Sequence, residues 1–586
     1  MDNSNKMSQP LPPEMWEFIF CHLDVSSLKK VTETSKVFHE IVSGSEKLSK
    51  NLTLRLKYPQ DMNSFAKCIL KTKRKYRKLV VLKSRDRCAD EFNQHKATQA
   101  LQKLGLTVKE LQIDWSNAQR RMDDQLVNLA DVMRRRTQMA NAVRGFNFNP
   151  FGAGQLNREA AALMENIRVD IHTEFLNVIR YFQNITKLTL INVNLETERQ
   201  EALPEIQYQH LKELVLNHCD SYIFKLLSSV THLEKIDVSD PWWTSRNPGI
   251  DDFELFLMLQ KTLKHVDLKN FQFPRLFITD RSENISFKLE SLKLNNVYFA
   301  DKGILNQFLK TQTGLKTIDL QLRNEKIKVL DELQWYNNCL RTIITHSTHL
   351  HTITIAKIRY KINDYEFLSN TTNLSVKHLN FKLTSEDKSS ELFKVLVRTF
   401  PNLQSINFEA EENEETDSGA CFDDGTVLDH VESLVIKNSS VRSLANLQAS
   451  SSLLNFEYVP GKTGEYIDDL FGCFFHRHRN IKNLAIGRNR GRSYFFVSYN
   501  LCQLIVNFLT HLESISIYNF GEVNKSVKLL CNLRKLRTLT LSTDDYQQFT
   551  AKTKVECARN DLKLIHINIP KHEPTFEPDN YVLLSI

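Results

Sequence analysis

Apolar residues recur along most of this chain in one arrangement: an apolar residue, two spacers, a second apolar residue, one spacer and a third. The regular series opens at Ile185-Leu188-Leu190 and returns, for example, at Leu233-Ile236-Val238, Leu289-Leu292-Leu294 and Leu536-Leu539-Leu541. Successive copies start roughly 22 to 35 residues apart, most of them near 26. Because side chains alternate between the two faces of a strand, each copy predicts one short β-strand with its apolar residues on one face.

The residues between the apolar positions agree with this interpretation, since most spacers are polar, as Lys235 and Asp237 are. Segments between the predicted strands carry helical spacing, such as Leu255, Leu259 and Leu263. Unrelated half-buried strands would also alternate apolar and polar residues, but they would not repeat the same apolar pattern at a nearly constant spacing. The period matches that of leucine-rich repeats, which bury their apolar faces only by stacking. The sequence therefore predicts an α/β leucine-rich-repeat solenoid over 185–586, a horseshoe with a parallel β-sheet on its concave face and helices outside.

Residues 51–184 are less regular and predict early repeats with helical insertions. Strand patterns occur at Tyr76-Leu79-Val81, Val108-Leu111-Ile113 and Val143-Phe146-Phe148. Two helical faces are marked by the apolar residues between Met122 and Met133 and between Leu163 and Phe182.

The N-terminal segment 9–50 differs from the repeats and predicts three short helices. Leu11-Pro12-Pro13-Glu14 opens the first helix, with proline in the first turn and Glu14 at the positive end of the helix dipole. The apolar residues that mark the three helices are Met15, Phe18, Ile19 and Leu23, then Leu28 and Val31, then Val37, Phe38, Ile41 and Val42.

This segment, LPPEMWEFIFCHLDVSSLKKV followed by SKVFHEIV, resembles an F-box, and the whole chain resembles an F-box/leucine-rich-repeat protein. In that family the F-box binds a Skp-type adaptor, which joins it to cullin and RING proteins in an SCF ubiquitin ligase. The repeats bind the protein substrate for ubiquitination and proteasomal degradation. Thr34 and Phe38 depart from the family, which often has valine and tryptophan there. The adaptor-binding positions implied by the resemblance are Leu11, Pro12, Glu14, Ile19, Leu23, Leu28, Val31 and Phe38.

The resemblance divides the chain into a disordered N-terminus at 1–8, an F-box at 9–50, irregular repeats at 51–184 and the regular repeats at 185–586. Two alternatives stay open. The N-terminal helices could be a cap that seals the solenoid, since solenoids need caps. The chain could also be a non-catalytic scaffold that recruits partners without ubiquitin transfer.

Composition narrows the function further. The chain has 16 glycines in 586 residues, too few for a protein rich in phosphate-binding loops or tight hairpins. Its ten cysteines form no C-x-x-C pair and predict reduced thiols in a cytoplasmic and/or nuclear protein. There is neither a long apolar run for a membrane span nor a G-x-S-x-G or H-E-x-x-H motif. We therefore expect a non-catalytic subunit with no cofactor, no metal and no membrane partner.

Candidates for substrate contact lie on the predicted strands and beside them. Arg488, Arg490 and Arg492 gather next to one strand, and arginine clusters bind phosphate or carboxylate. They suit an acidic or phosphorylated substrate segment or an inositol phosphate, and the alternative is an exposed ridge. His378, Lys382 and Tyr518 are strand spacers expected to face the substrate. The net charge of +8 permits an acidic partner, and nucleic acid is not expected.

Four further segments resemble sites but have simpler interpretations. Gly461-Lys462-Thr463 lacks the first glycine of a phosphate-binding loop, and Cys473, His476 and His478 lack a second cluster that would complete a zinc site. The basic run 71–78 is interpreted as a solvated loop, with nuclear import or an acidic partner as alternatives. The acidic stretch 409–424 is expected to be a disordered insertion, or otherwise a contact for a basic substrate.

Overall fold

The structure is a computed structural model, and its chain forms two compact units. The first unit comprises residues 1–289 and 297–301, and the second comprises residues 290–296 and 302–586. The domain boundaries expected at residues 50 and 184 are not tested by this division and stay predictions. The structure describes residues 11–23, 25–49, 53–58, 61–72, 75–83, 94–116, 175–195, 207–241, 249–273, 285–299, 302–322, 330–358, 368, 370–383, 389–410, 428–439, 444, 447–448, 450–460, 468–487, 497–518, 523–543, 563–568 and 584–585.

The first unit begins with helices α1 (Pro13–Phe20), α2 (Val25–Thr34), α3 (Lys36–Gly44) and α4 (Glu46–Ser49). The first three were predicted, and α4 is an addition. Its start is stabilised by Ser45, whose Oγ accepts a hydrogen bond from the Leu48 N–H at 3.1 Å and donates one to Glu17 of α1. The helices enclose a core of Phe20, Leu28, Val42 and Leu48.

Parallel strands follow these helices, paired in chain order from β1 to β7. The segment 143–148, predicted as a strand, lies outside the described residues. The short β8 pairs in parallel with residues 298–299 of β9, a strand whose residues 291–296 belong to the second unit and whose residues 297–299 belong to the first. The bounds are β1 Thr53–Tyr58, β2 Lys78–Lys83, β3 Glu110–Asp114, β4 Lys187–Ile191, β5 Glu213–Asn217, β6 Lys235–Ser239, β7 His265–Lys269, β8 Gln272–Phe273 and β9 Ser291–Phe299, with helices α5 Met62–Lys71, α6 Gln94–Gly105, α7 Tyr222–Leu226 and α8 Gly249–Met258.

Strand β1 was missed by the sequence analysis, although Leu56 and Tyr58 alternate as buried residues in it. The repeat pattern requires an apolar residue three positions before the first apolar strand residue, and Asn51 stands three positions before Leu54. Parallel pairing with β2 still places this segment in the sheet.

The second unit repeats the same plan, with parallel pairs in chain order from β10 to β19 and an antiparallel pair of β19 with β20. The bounds are β10 Thr317–Leu322, β11 Thr352–Ile358, β12 His378–Leu383, β13 Ser405–Ala410, β14 Ser433–Ser439, β15 Asn455–Pro460, β16 Asn483–Ile486, β17 Ser514–Tyr518, β18 Thr538–Thr543, β19 Lys563–Asn568 and β20 Leu584–Ser585, with helices α9 Lys302–Thr311, α10 Leu330–His346, α11 Ser389–Thr399, α12 Asp468–Arg477, α13 Tyr499–Phe508 and α14 Val523–Leu530.

The strand register confirms the predicted apolar positions. Ile353 pairs with Leu379, Leu379 with Ile406 and Ile406 with Leu434, and all four side chains are buried. The last parallel pair differs, because Leu539 pairs with Leu564, one residue before the expected position. Apolar residues occupy both phases of β19, so its sequence left the register ambiguous.

Helix α8 shows a second difference between pattern and structure. Its spacing suggested an apolar face through Leu255 and Leu259, but these side chains are 59% and 40% exposed. Phe253 and Phe256 are buried instead, with ring centroids 4.9 and 5.1 Å from that of Phe224 on α7. The larger aromatic side chains bury more apolar area and pair with each other, so they determine the rotation of the helix.

Residues with left-handed backbone conformation occur at or near the ends of many strands. The non-glycine ones have φ between 48° and 57°: Asn192, His218, Asp240 and Asn270 directly follow β4 to β7, and Asn296 and Asn438 lie within β9 and β14. Asparagine and aspartate adopt this conformation more readily than other non-glycine residues, which allows the turn to recur in a glycine-poor chain. Gly487 takes the same place after β16 with φ 104°, and a Cβ there would lie 2.5 Å from the Tyr518 carbonyl oxygen. Only glycine fits at that position.

In several repeats a polar side chain three residues ahead of the first apolar position links one repeat to the next, whereas other repeats have an apolar residue there, such as Val230 or Leu428. In the first unit, Gln260 Nε2 donates to the Val230 carbonyl at 2.7 Å, and Ser286 Oγ donates to the Gln260 carbonyl at 3.1 Å. In the second, Ser450 Oγ donates to the Leu428 carbonyl at 3.0 Å and the Ser450 N–H donates to His478 Nδ1 at 3.3 Å. These bonds satisfy backbone groups that would otherwise be buried without partners.

His478 makes the second unit sensitive to acid. Its side chain is 1% exposed, and burial lowers the pKa of the imidazole from 6.5 to about 4. Between these two values the unfolded chain binds a proton that the folded chain does not, so the free energy of unfolding falls as the pH falls from 6.5 toward 4. The loss is about 1.4 kcal/mol per pH unit across that window.

We expect His478→Gln, whose side-chain oxygen can accept from Ser450, to remove this part of the pH dependence. Urea unfolding at pH 7.5, 6.5, 5.5 and 4.5 measures it. Below about pH 6.5 the wild type should lose unfolding free energy relative to the variant, and above that pH the difference between the two proteins should stay constant. Parallel pH profiles for the two proteins would contradict the assignment.

Candidate functional site

The first helix exposes an apolar face to solvent. Leu11, Met15, Phe18 and Ile19 are 43%, 49%, 65% and 39% exposed, and we call these four residues the N-terminal apolar face. They lie on one side of α1 and its entry because side chains three, four and seven positions apart share a helix face. Val37 on α3 is a further exposed apolar residue of the same helical segment, at 57%.

The opposite side of α1 explains why this face points outward. Trp16 and Phe20 turn inward, and the Trp16 ring lies 4.7 Å from that of Phe38 between centroids. The Phe20 and Phe38 rings lie 5.2 Å apart in an edge-to-face arrangement. Because these three aromatic side chains are the larger ones, they occupy the core and fix the rotation of the helix.

The structure separates the predicted adaptor-binding residues into two groups. Leu11, Pro12, Glu14 and Ile19 are exposed, so a partner can reach them. The remaining residues pack in the core of the helical segment: Leu28 is 1% exposed, and Leu23, Val31 and Phe38 are partly buried against it. Leu28 therefore supports the fold of the segment and presents no surface to a partner.

The resemblance omitted three exposed apolar residues, Met15, Phe18 and Val37. The signal was present for two of them, because Met15, Phe18 and Ile19 have the spacing of one helix face. The spacing could not show that this face is the exposed one, since Trp16 and Phe20 form an equally apolar face on the other side.

The predicted substrate-contact residues of β12 lie on the polar side of its sheet. His378 is exposed and Lys382 is half-buried, and both alternate with the buried Leu379 and Phe381. Lys382 Nζ lies 3.3 Å from Glu409 Oε2 on the neighbouring β13. Its charge is thus largely neutralised by the adjacent repeat, which the sequence analysis did not anticipate.

Tyr518 lies on the same side of β17. Partial burial is the main cause that raises the pKa of its hydroxyl, and the negative charge of Glu457 on β15 adds to it. Five strand spacings separate β12 from β17, about 24 Å, so Tyr518 does not share a contact point with His378 and Lys382. Arg488, Arg490 and Arg492 lie outside the described residues.

Cys473, His476 and His478, which resembled part of a metal site, lie among the described residues. No group of three or more histidine, cysteine, aspartate or glutamate side chains among the described residues could hold a metal ion. Cys473 is exposed, whereas His478 is buried against Phe474, with ring centroids 4.5 Å apart. Residues 461–463 lie outside the described residues, as does most of the acidic stretch 409–424.

Buried thiols are inert here: burial raises the pKa of Cys219 and of Cys502 to about 12. Cys219 lies three residues after the last apolar residue of β5 and is buried, and Phe271 and Val297 are buried at the equivalent positions of β7 and β9. Among the described helices, none has both the length and the apolar character needed to cross a bilayer.

Alanine substitutions should distinguish the two faces of α1. We expect Phe20→Ala to destabilise the helical segment by about 3–5 kcal/mol, because it empties a core position. Phe18→Ala should change its stability by less than about 0.5 kcal/mol, because the side chain is mostly in solvent. Hydrogen exchange of the backbone amides between residues 13 and 44 measures both effects. Equal protection in the two variants would contradict the assigned rotation of α1.

No protein-family model matches the chain, and no curated protein matches it. Two of the solved structures to which it is similar are leucine-rich-repeat or internalin proteins. The leucine-rich repeat-containing protein LegL7 from Legionella pneumophila has 13% identity and a TM-score of 0.29, and the match covers 59% of this chain and 87% of that one. An internalin (inlF) from Listeria monocytogenes has 15% identity and a TM-score of 0.26, with 65% and 86% covered.

The class of protein follows from the two units themselves. Each unit stacks parallel strands of one phase, with buried apolar rows on one side and polar spacers on the other. At the repeat period of the sequence, this arrangement defines an α/β leucine-rich-repeat fold.

Proposed function

We propose that this chain is the substrate-recognition subunit of an SCF-type ubiquitin ligase. Its N-terminal helices dock on a Skp-type adaptor and through it on cullin and RING proteins, in the cytoplasm or the nucleus. The leucine-rich repeats bind a protein substrate for ubiquitination and proteasomal degradation. The chain performs no chemistry itself and acts by raising the effective concentration of the substrate beside the ubiquitin-carrying enzyme.

The N-terminal apolar face is the observation that carries this proposal. The core of the helical segment is complete without it, since Trp16, Phe20 and Phe38 fill the interior. A large exposed side chain such as Phe18, beside Met15 and Ile19, is stabilised only when a partner removes it from water. A helical cap with no other role would be expected to have polar residues there.

The sheet of each unit supports the second half of the proposal. Its spacers form a polar surface on which charges are paired between neighbouring strands, as in Lys187–Glu213 at 2.9 Å and Lys382–Glu409 at 3.3 Å. Paired charges leave little net attraction for any polyanion, which favours a specific protein surface over nucleic acid. The free thiols of the described cysteines agree with a reducing compartment.

Substitutions on the N-terminal apolar face should abolish adaptor binding. We expect Leu11→Ala with Pro12→Ala, and separately Phe18→Ser, to prevent co-purification with a Skp-type adaptor, since each removes contact area from the proposed interface. Leu106→Ser is the matched control, because Leu106 is also exposed, at 73%, but lies after α6. Undiminished binding of all the variants would show that the N-terminal helices are not an F-box.

A non-catalytic scaffold is the second candidate, because the same repeats could recruit partners without ubiquitin transfer. The lifetime of a captured partner separates the two functions. We expect depletion of this protein to lengthen the half-life of a substrate. Re-expression of wild type should return the half-life to its original value, and re-expression of Phe18→Ser should not. A partner whose half-life does not change under either condition indicates the scaffold.

A further inference from the structure

The positive charge of this protein is concentrated in one short part of the chain. Residues 51–83 contain ten lysines and arginines and one aspartate, so their net charge of +9 exceeds the +8 of the whole chain. Six of these cations make no ion pair in the part of the chain that the structure describes: Arg55, Lys57, Lys67, Lys71, Lys75 and Lys78. Other lysines of the same unit are paired, as Lys187 is with Glu213. The segment therefore presents unbalanced positive charge to a partner.

Helices α5 and α6 of this region end side by side, and the chain turns after each of them toward its next strand. Lys103 Nζ of α6 donates to the Thr72 carbonyl after α5 at 2.7 Å, which joins the two helix ends. The Lys109 N–H donates to the Arg77 carbonyl at 2.8 Å, which joins the two strand entries. Lys75 is exposed and lies between these two connections, so it stands beside the turn that follows α6.

The turn after α6 carries an exposed apolar side chain, since Leu106 is 73% exposed. The Val108 N–H closes this turn by donating to the Leu104 carbonyl at 2.9 Å. At the end of α5, Leu70 is a second exposed leucine and directly precedes the exposed Lys71. The two leucines and the exposed lysines next to them form one surface, the basic corner, which we define as Leu70, Lys71, Lys75 and Leu106.

We propose that the basic corner attaches this protein to a membrane surface rich in anionic lipids. The negative headgroups of such a surface attract lysines that lie within a Debye length of it. The exposed leucines add apolar area that enters the boundary between the headgroups and the acyl chains. Attachment to a surface needs no spanning segment, so this inference replaces the expectation of no membrane partner. It goes beyond the proposed ligase function and does not require it.

The apolar residues distinguish a membrane from a nucleic acid as the partner. A nucleic acid would also neutralise the lysines, but it binds apolar surface mainly by stacking its bases on aromatic rings. Leu70 and Leu106 have no ring to stack on a base, and they would stay exposed beside a phosphate backbone. A bilayer accepts both kinds of group at once, because its headgroups face the lysines while its acyl chains take up the leucines.

Co-sedimentation of the full chain with lipid vesicles tests the proposal. The vesicles contain phosphatidylcholine alone or phosphatidylcholine with phosphatidylserine, in a buffer of about 0.1 M salt. We expect binding to the mixed vesicles and none to phosphatidylcholine alone, because the lysines provide most of the attraction. Lys71→Gln combined with Lys75→Gln should weaken binding roughly 30-fold, and Leu106→Ser should weaken it roughly tenfold.

The chain offers a matched control for each variant. Arg55→Gln combined with Lys57→Gln removes the same charge from the same segment, but both residues lie on the polar side of β1. We expect this double variant to weaken binding less than about threefold. Leu255→Ser matches Leu106→Ser, because Leu255 is also exposed but lies on α8, and it should bind as the wild type does. Circular dichroism of each variant verifies that the fold is intact.

Each result supports or overturns the proposal. Equal binding to the two kinds of vesicle, or no binding to either, would overturn it. Equal losses in the two double variants would show general charge attraction and exclude the basic corner as the site. Tighter binding to duplex DNA or RNA than to the mixed vesicles, with no effect of Leu106→Ser, would make a nucleic acid the partner. Adaptor binding by the same variants is unchanged under this proposal, so its failure and that of the ligase function are distinguishable.

Discussion

Backbone hydrogen bonding between repeats is the constraint on which the rest of this structure depends. A strand of five residues cannot satisfy its own N–H and C=O groups, and in this fold only the strands of the neighbouring repeats can do so. The pairing is continued one residue before each strand, where the Lys212 N–H donates to the Thr186 carbonyl and the Glu234 N–H donates to that of Lys212, both at 2.8 Å. A one-residue slip would move every apolar side chain to the polar face, so the buried rows and the hydrogen bonds hold the same register.

The turns help to keep neighbouring strands in that register. Asparagine and aspartate supply the left-handed residue after a strand, and buried side chains such as Gln260 and Ser450 bond to carbonyl groups of the previous repeat. The position is tolerant, since Gln260, Ser450 and His478 are polar there and Val230 and Leu428 are apolar. This tolerance explains why the repeats diverge in sequence while their strands stay aligned.

The candidate binding surfaces are consequences of the same packing. The aromatic interior of Trp16, Phe20 and Phe38 turns the other apolar side of α1 toward solvent. The aligned strands likewise place Lys382 of β12 beside Glu409 of β13, so this charge on the polar face is paired. In both cases a requirement of the core decides which groups are offered to a partner.

The sequence by itself determined which residues of each strand are buried, as at Ile236 and Val238. Side chains alternate between the two faces of a strand, so only one alignment of the strands buries all the apolar residues. The sequence also carries the resemblance of the N-terminal helices to an F-box, which rests on individual residues. Only the tertiary structure decided the rotation of α1 and α8, since helices with apolar residues on several sides have no unique inner face until larger neighbours choose one. It alone also decided the ion pair of Lys382 with Glu409, because these partners come from different repeats and their contact depends on the stacking that aligns them.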